Sequence, residues 1–196
     1  STAATHEWAV RPADVQLAVN VSPVQFEVGT LALMFMSALA TSGLAAGRLE
    51  LECTEAVLVR DGEAGLAILH QLRAIGVRIA LDDFGTGYSS LSYLQRFPFD
   101  RIKVDRSFVK DIAEPGSGSS SIVQAVVNIA AARLMTTTAE GVETEPQRQM
   151  LAALGCSEMQ GYLFSPPKPA AEIRALLGAR QGSGAKASRK RRAKTA

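Results

Sequence analysis

Ile79-Ala80-Leu81-Asp82-Asp83-Phe84-Gly85-Thr86-Gly87 runs from an apolar β-type segment straight into two adjacent carboxylates and a glycine-rich turn. In an α/β protein, chemistry is placed at the carboxyl ends of strands. Two neighbouring acids repel each other unless something positive holds them, and a metal ion is the usual holder. Taken alone, the pair also suits a solvated turn, because Asp and Gly are ordinary turn residues. What surrounds the stretch decides between the two readings.

Around it, short β-type runs alternate with longer helical patterns. The expected strands are Gln16–Val21, Arg48–Glu52, Val77–Leu81, Arg101–Val104, Leu134–Ala139 and Met159–Phe164. Helix-like segments fall near 24–42, 61–75, 89–96, 119–132, 145–154 and 169–179. Gly43, Gly76 and Gly155 sit where a helix ends in a left-handed residue. Leu66, Leu69, Leu72 and Ile75 recur at helical spacing and give the second helix one apolar face. Glu114-Pro115-Gly116-Ser117-Gly118-Ser119 reads as a loop, with Ser119, Ser120 or Ser121 as the cap of the next helix.

Alternating β and α with buried strands implies a parallel sheet, either a barrel or a doubly wound sheet. No Gly-x-Gly-x-x-Gly follows the first strand and no Walker-type Gly-x-x-x-x-Gly-Lys occurs, which weighs against a nucleotide-binding open sheet. A (β/α)8 barrel needs eight strands in about 250 residues. Six are legible in the 196 residues, so a barrel would be incomplete at the N-terminus.

The 47% hydrophobic content suffices for one sizeable core. No run of apolar residues is long enough to span a bilayer, Leu31–Met36 being the most apolar patch. Nothing marks secretion, and Cys53 and Cys156 form no CxxC pair, so two reduced thiols in a cytoplasmic protein are expected. Seven basic residues and no acid lie from Arg180 onward, so the net charge of +2 conceals an acidic remainder of −5. That basic tail, 180–196, is expected to be disordered, with residues 1–179 forming the barrel domain. The tail is read as a solubilising end with no specific nucleic-acid partner.

The ends of the strands share one chemistry. Asn20-Val21-Ser22 closes the first and Glu52-Cys53-Thr54-Glu55 the second; Asp82-Asp83 follow the third. Lys103 and Asp105 close the fourth, Glu140-Gly141-Val142-Glu143 follow the fifth, and Gln160-Gly161 fall at the sixth. Carboxylates and amides without clustered His or Cys favour a hard cation such as Mg²⁺, Mn²⁺ or Ca²⁺ over zinc, and His6 and His70 lie outside the pattern. Such a set suits two-metal hydrolysis of a phosphate ester, with two cations about 4 Å apart sharing a carboxylate. Lys103 could serve the attacking water, or equally act as a structural counter-charge to Asp82 and Asp83. Asp83-Phe84-Gly85 also matches a kinase tripeptide, but no glycine-rich loop and no His-Arg-Asp precede it.

Asn20-Val21-Ser22, Leu49–Glu55, Asp82–Leu91, Ile102–Val109, Ala139–Thr144 and Met159–Phe164 resemble, in order and spacing, the successive motifs of the bacterial EAL domain, over roughly residues 10 to 177. The resemblance implies a TIM-like (β/α)8 barrel whose first strand is antiparallel, and a cyclic-di-GMP-specific phosphodiesterase. It implies Asn20, Glu52 and Asp82 as ligands of one Mg²⁺ or Mn²⁺, with Asp82 bridging to a second held by Asp83 and Glu140. By the same carry-over, Lys103 and Gln160 position the nucleophilic water, Glu55 steadies the loop after Asp83, and Gln25 approaches the substrate phosphate. The segment from Phe84 to Leu94 resembles the family's homodimer contact. Calcium is expected to inhibit, and sensory or GGDEF domains often lie upstream in the family.

One departure stands out. The Glu-Ala-Leu triplet that gives the family its name does not occur in these residues. The resemblance places it before Asn20, where its glutamate is a metal ligand and a nearby arginine grips the substrate. The expectation is therefore an enzyme lineage whose activity is crippled in this chain. The alternative is a non-catalytic cyclic-di-GMP receptor or protein-interaction module of the same fold.

Overall fold

The computed structural model describes residues 15–27, 29–85 and 91–173. Six strands form one sheet in chain order, every neighbouring pair parallel: β1 (Leu17–Asn20), β2 (Leu49–Thr54), β3 (Arg78–Phe84), β4 (Arg101–Val104), β5 (Thr136–Ala139) and β6 (Glu158–Met159). Parallel neighbours need a crossover between them. Helices supply most of these: α1 (Pro23–Glu27), α2 (Leu31–Ser42), α3 (Glu55–Ala74), α4 (Leu91–Arg96), α5 (Arg106–Lys110), α6 (Ser119–Ala132) and α7 (Glu145–Ala153). Sheet and helices up to Phe164 belong to one compact unit.

The central strands carry runs of Leu, Ile and Ala because both of their faces are covered. Leu51, Ile79 and Ile102 are fully buried, as are Leu69 and Leu72 of α3, Val123 of α6 and Leu151 of α7. Each such side chain contributes roughly 1.5–3 kcal/mol by leaving water. The sheet curls into a half-barrel. Arg101 on β4 hydrogen-bonds both Gln16, next to β1, and Glu158, on β6. A flat sheet at about 4.8 Å per strand would hold those two edges about 24 Å apart.

Several expected boundaries shift. The segment expected as one helix over 24–42 is two helices, α1 and α2, with Gly29 between them at φ 64°. The helix expected from 61 begins at Glu55 and kinks at Gly62, whose φ/ψ of 41°/−110° is not helical. Short α5 was not expected, because five residues carry too little periodicity to show. None of Ser119, Ser120 and Ser121 caps α6; its N-cap is Gly118, left-handed at φ 74°, and Ser117 Oγ accepts from the Ser119 N–H at 3.3 Å. The expected strand Met159–Phe164 shrinks to Glu158–Met159, the chain turning at Gly161. Helical backbone begins at Ala170, while the rest of the expected 169–179 helix and the basic tail lie outside the described residues.

Three helix ends share one hydrogen-bond pattern. At Gly76 and Gly155 the left-handed residue's N–H bonds the carbonyl three residues back, and the next N–H bonds the carbonyl five back: Val77 to Leu72 at 3.1 Å, Cys156 to Leu151 at 3.0 Å. Leu134 makes the same turn after α6, with Met135 bonding Ala130 at 2.9 Å. Its φ is 58° and it is 96% exposed, so it bears the cost of a left-handed side chain with no burial in return. Leu134→Gly is expected to raise stability by about 0.5–1 kcal/mol, the relieved strain of ~1–2 kcal/mol exceeding glycine's extra unfolded-state entropy. Urea denaturation checks this, and an unchanged or lower midpoint at constant m contradicts it.

Candidate active site

Along a regular strand successive side chains face opposite ways, so Asp82 and Asp83 should diverge. They do not, because β3 bulges there. Leu81 pairs with Ile102 and Phe84 with Val104, so three steps on β3 oppose two on β4. Asp83 takes up the extra residue at φ 54°, a left-handed conformation that Asp tolerates better than most residues. Its N–H donates to Asp82 Oδ1 at 3.0 Å. One carboxylate oxygen each from Asp82, Asp83 and Glu140 then lies within 4.8 Å of the others.

Lys103, two residues into β4 and 5% exposed, reaches into this group. Its Nζ lies 2.7 Å from Glu140 Oε1, 3.0 Å from Glu52 Oε2 and 3.0 Å from Asp82 Oδ1. Burial works against its charge, but the hydrogen bond to Glu140 and the charge of Glu52 outweigh it and hold the ammonium above its ordinary range. Glu140 is displaced upward, by burial first, with Lys103 opposing. Asp83 is also raised, by burial and then by the charges of Asp82 and Asp105.

The remaining residues of the rim fall around this centre. Asn20 ends β1 in register with Glu52. Gln160, just after β6, donates from Nε2 to Glu140 Oε1 at 3.2 Å. Gly85 donates its N–H to Glu55 Oε1 at 3.3 Å, which ties the turn after β3 to the start of α3. Gln25 is engaged locally, its Oε1 accepting from the N–H and hydroxyl of Ser22 at 2.9 and 3.1 Å. Of the segment from Phe84 to Leu94, residues 86–90 lie outside those described. Cys53 turns away from the rim toward the Ala80 carbonyl, and burial, with Asp82 adding to it, pushes its thiol up to about 12.

Clustered carboxylate oxygens with neither imidazole nor an available thiolate among them suit a hard divalent cation. The donor set therefore fits Mg²⁺ or Mn²⁺. Two carboxylates beside one ammonium can also divide their work, holding a cation on one side and orienting a water on the other.

Sequence reading missed a second layer of charge beneath the rim. Glu50, Arg101 and Glu158 each lie two residues before a rim residue, at Glu52, Lys103 and Gln160, and so face the same way. That spacing was the available signal. Arg101 and Glu50 are 4% exposed and pair at 3.0 Å.

A family model described as "EAL domain" matches residues 1–167. The chain is 44% identical over 165 residues to the bifunctional diguanylate cyclase/cyclic di-GMP phosphodiesterase MucR of Pseudomonas aeruginosa, covering 84% of this chain and 24% of that protein. The chain thus spans about a quarter of the length of that relative. A solved structure of the PaMucR phosphodiesterase in complex with c-di-GMP superimposes with a TM-score of 0.83 at 41% identity, over 88% of this chain and 71% of that one. The manganese and cyclic-di-GMP complex of BlrP1 from Klebsiella pneumoniae at pH 6 superimposes with a TM-score of 0.77 at 36% identity, over 85% of this chain and 42% of that one.

Proposed function

This chain belongs to the EAL domain family, and from that premise we propose that it is part of a metal-dependent phosphodiesterase that opens cyclic di-GMP to linear pGpG. The observation that carries the reading is the convergence of Asp82, Asp83 and Glu140 within 4.8 Å, with Lys103 against two of them. Asn20, Glu52 and Asp82 would hold one Mg²⁺ or Mn²⁺, and Asp83 and Glu140 the other, with Asp82 shared. Cations bound there would acidify a water and neutralise the phosphoryl oxygens of the substrate.

The protein's own groups do the rest. Lys103, its ammonium against Glu52, Asp82 and Glu140, would orient the attacking water. Gln160, whose Nε2 donates to Glu140 Oε1, would fix the same water. Glu55 keeps the turn after β3 in place through the Gly85 N–H, and with it the left-handed backbone of Asp83. Gln25 would meet a substrate phosphate only after releasing Ser22. The segment from Phe84 to Leu94 is proposed as a homodimer contact. Upstream sensory or GGDEF domains are proposed from the greater length of the relatives.

Incubating cyclic di-GMP with Mg²⁺ or Mn²⁺, and with protein carrying this chain behind whatever precedes it in its gene, should yield pGpG by HPLC. Absence of pGpG from that longer protein sinks the enzymatic reading. The 196-residue chain alone is expected to turn over very weakly, because the Glu-Ala-Leu glutamate is not among its residues. The second reading is a receptor of the same fold, which calorimetry would reveal as cyclic-di-GMP binding without product.

A further inference from the structure

Beneath the rim, one guanidinium gathers most of the sheet. Arg101 on β4 donates from Nε to Glu50 of β2 at 3.0 Å and from Nη1 to Thr138 Oγ1 of β5 at 2.6 Å. Nη1 also bonds Glu158 of β6, and Nη2 lies 3.4 Å from Gln16 Oε1, one residue before β1. Arg78 of β3 adds a contact to Glu50 at 3.6 Å. At this level β3 presents Ala80, fully buried and in register with Arg101, so the arginine passes over it to reach β2. The planar fork of five donors on one delocalised cation suits such a hub, and a lysine would not span it.

This hub lies about 7 Å from Lys103 along the same face of the same strand. The rim above it divides into two halves. Asn20, Glu52 and Asp82 come from β1 to β3, while Glu140 and Gln160 follow β5 and β6. Their separation depends on how tightly the sheet curls, and Arg101 holds the curl by gripping both ends. We propose that Arg101 is a positioning residue for the metal ligands, setting the distance between the two halves of the rim from one layer below. The inference rests on the metal-dependent reading above and extends it to a residue that touches neither cation nor substrate.

Manganese titration by calorimetry, well below each variant's melting midpoint, tests it on the full chain. Arg101→Lys and Arg101→Met are expected to weaken Mn²⁺ binding by up to about tenfold, the lower end of what losing a direct partner of a metal ligand costs, since Arg101 acts through the strands. Low-temperature EPR of the loaded protein should show a weaker manganese–manganese coupling signal. A purely structural role would lower the melting midpoint and leave the affinity of the folded protein unchanged, and that result overturns the proposal. Should Arg101→Met fail to fold, Thr138→Val and Glu158→Ala each remove one spoke; unchanged affinity in both overturns it equally. Wild-type protein in its longer form that binds no Mn²⁺ would refute the metal-dependent reading itself, a different outcome from wild-type binding that the variants share.

Discussion

Asp82→Asn is expected to lower pGpG formation on the order of 10³-fold, in whatever longer form of the protein turns over, while the melting midpoint holds or rises. Asp82 meets Lys103 at 3.0 Å and offers an oxygen within 4.8 Å of both Asp83 and Glu140. Removing its charge takes away the shared anion between the two proposed cations and weakens the grip on both. The amide is isosteric and its Oδ1 can still accept from Lys103 and from the Asp83 N–H, so the bulge has no reason to collapse. Folding should gain, because Asp83 loses the like charge that helps raise it. HPLC of the product and a thermal melt by circular dichroism read the two halves of the expectation. A variant keeping a tenth of the wild-type rate would remove Asp82 from the centre of the mechanism.

Gly161→Ala is expected to cost on the order of 3 kcal/mol of stability and to abolish what activity remains. A Cβ at Gly161 would overlap the backbone of Val142, which cannot swing aside as a side chain can. The two turns are laced together: Val142 N–H donates to the Gln160 carbonyl at 3.1 Å, and Leu163 N–H to the Val142 carbonyl at 3.0 Å. Forcing them apart separates Glu140 from Gln160, which the turns hold at 3.2 Å. Gly141→Ala makes the control. Its Cβ would meet the root of the Arg106 side chain, with the Arg106 Cβ at 2.8 Å, and its φ of 67° costs an alanine about 1–2 kcal/mol, but no backbone atom lies in its way. Urea midpoints should therefore fall in the order Gly141→Ala, then Gly161→Ala, and the reverse order would contradict the backbone collision.

What could be read without coordinates follows from periodicity. Leu66, Leu69 and Leu72 announced α3, and Leu69 and Leu72 are fully buried. Gly43, Gly76 and Gly155 announced left-handed helix ends, and all three have positive φ. Leu134 makes an equivalent end but went unseen, because a side chain there works against the local preference. The short α5 and the sixth strand were misread for a related reason. Four or five residues do not complete enough periods to distinguish a strand from a turn, and Met159–Phe164 has the composition of either.

The sequence by itself determined the parallel α/β sheet and the order in which its strand ends deliver carboxylate and amide groups, and from these came the expectation of a hard cation. These follow from residue type and spacing, which act locally and can be read one strand at a time. Only the tertiary structure decided that Asp82 and Asp83 face the same way, since a one-residue bulge depends on the pairing of β3 with β4. The same holds for Lys103. Its contact with Glu52, Asp82 and Glu140 joins groups 51, 21 and 37 positions apart in the chain. Arg101 is the clearest case, because its partners lie on strands that meet only when the sheet curls.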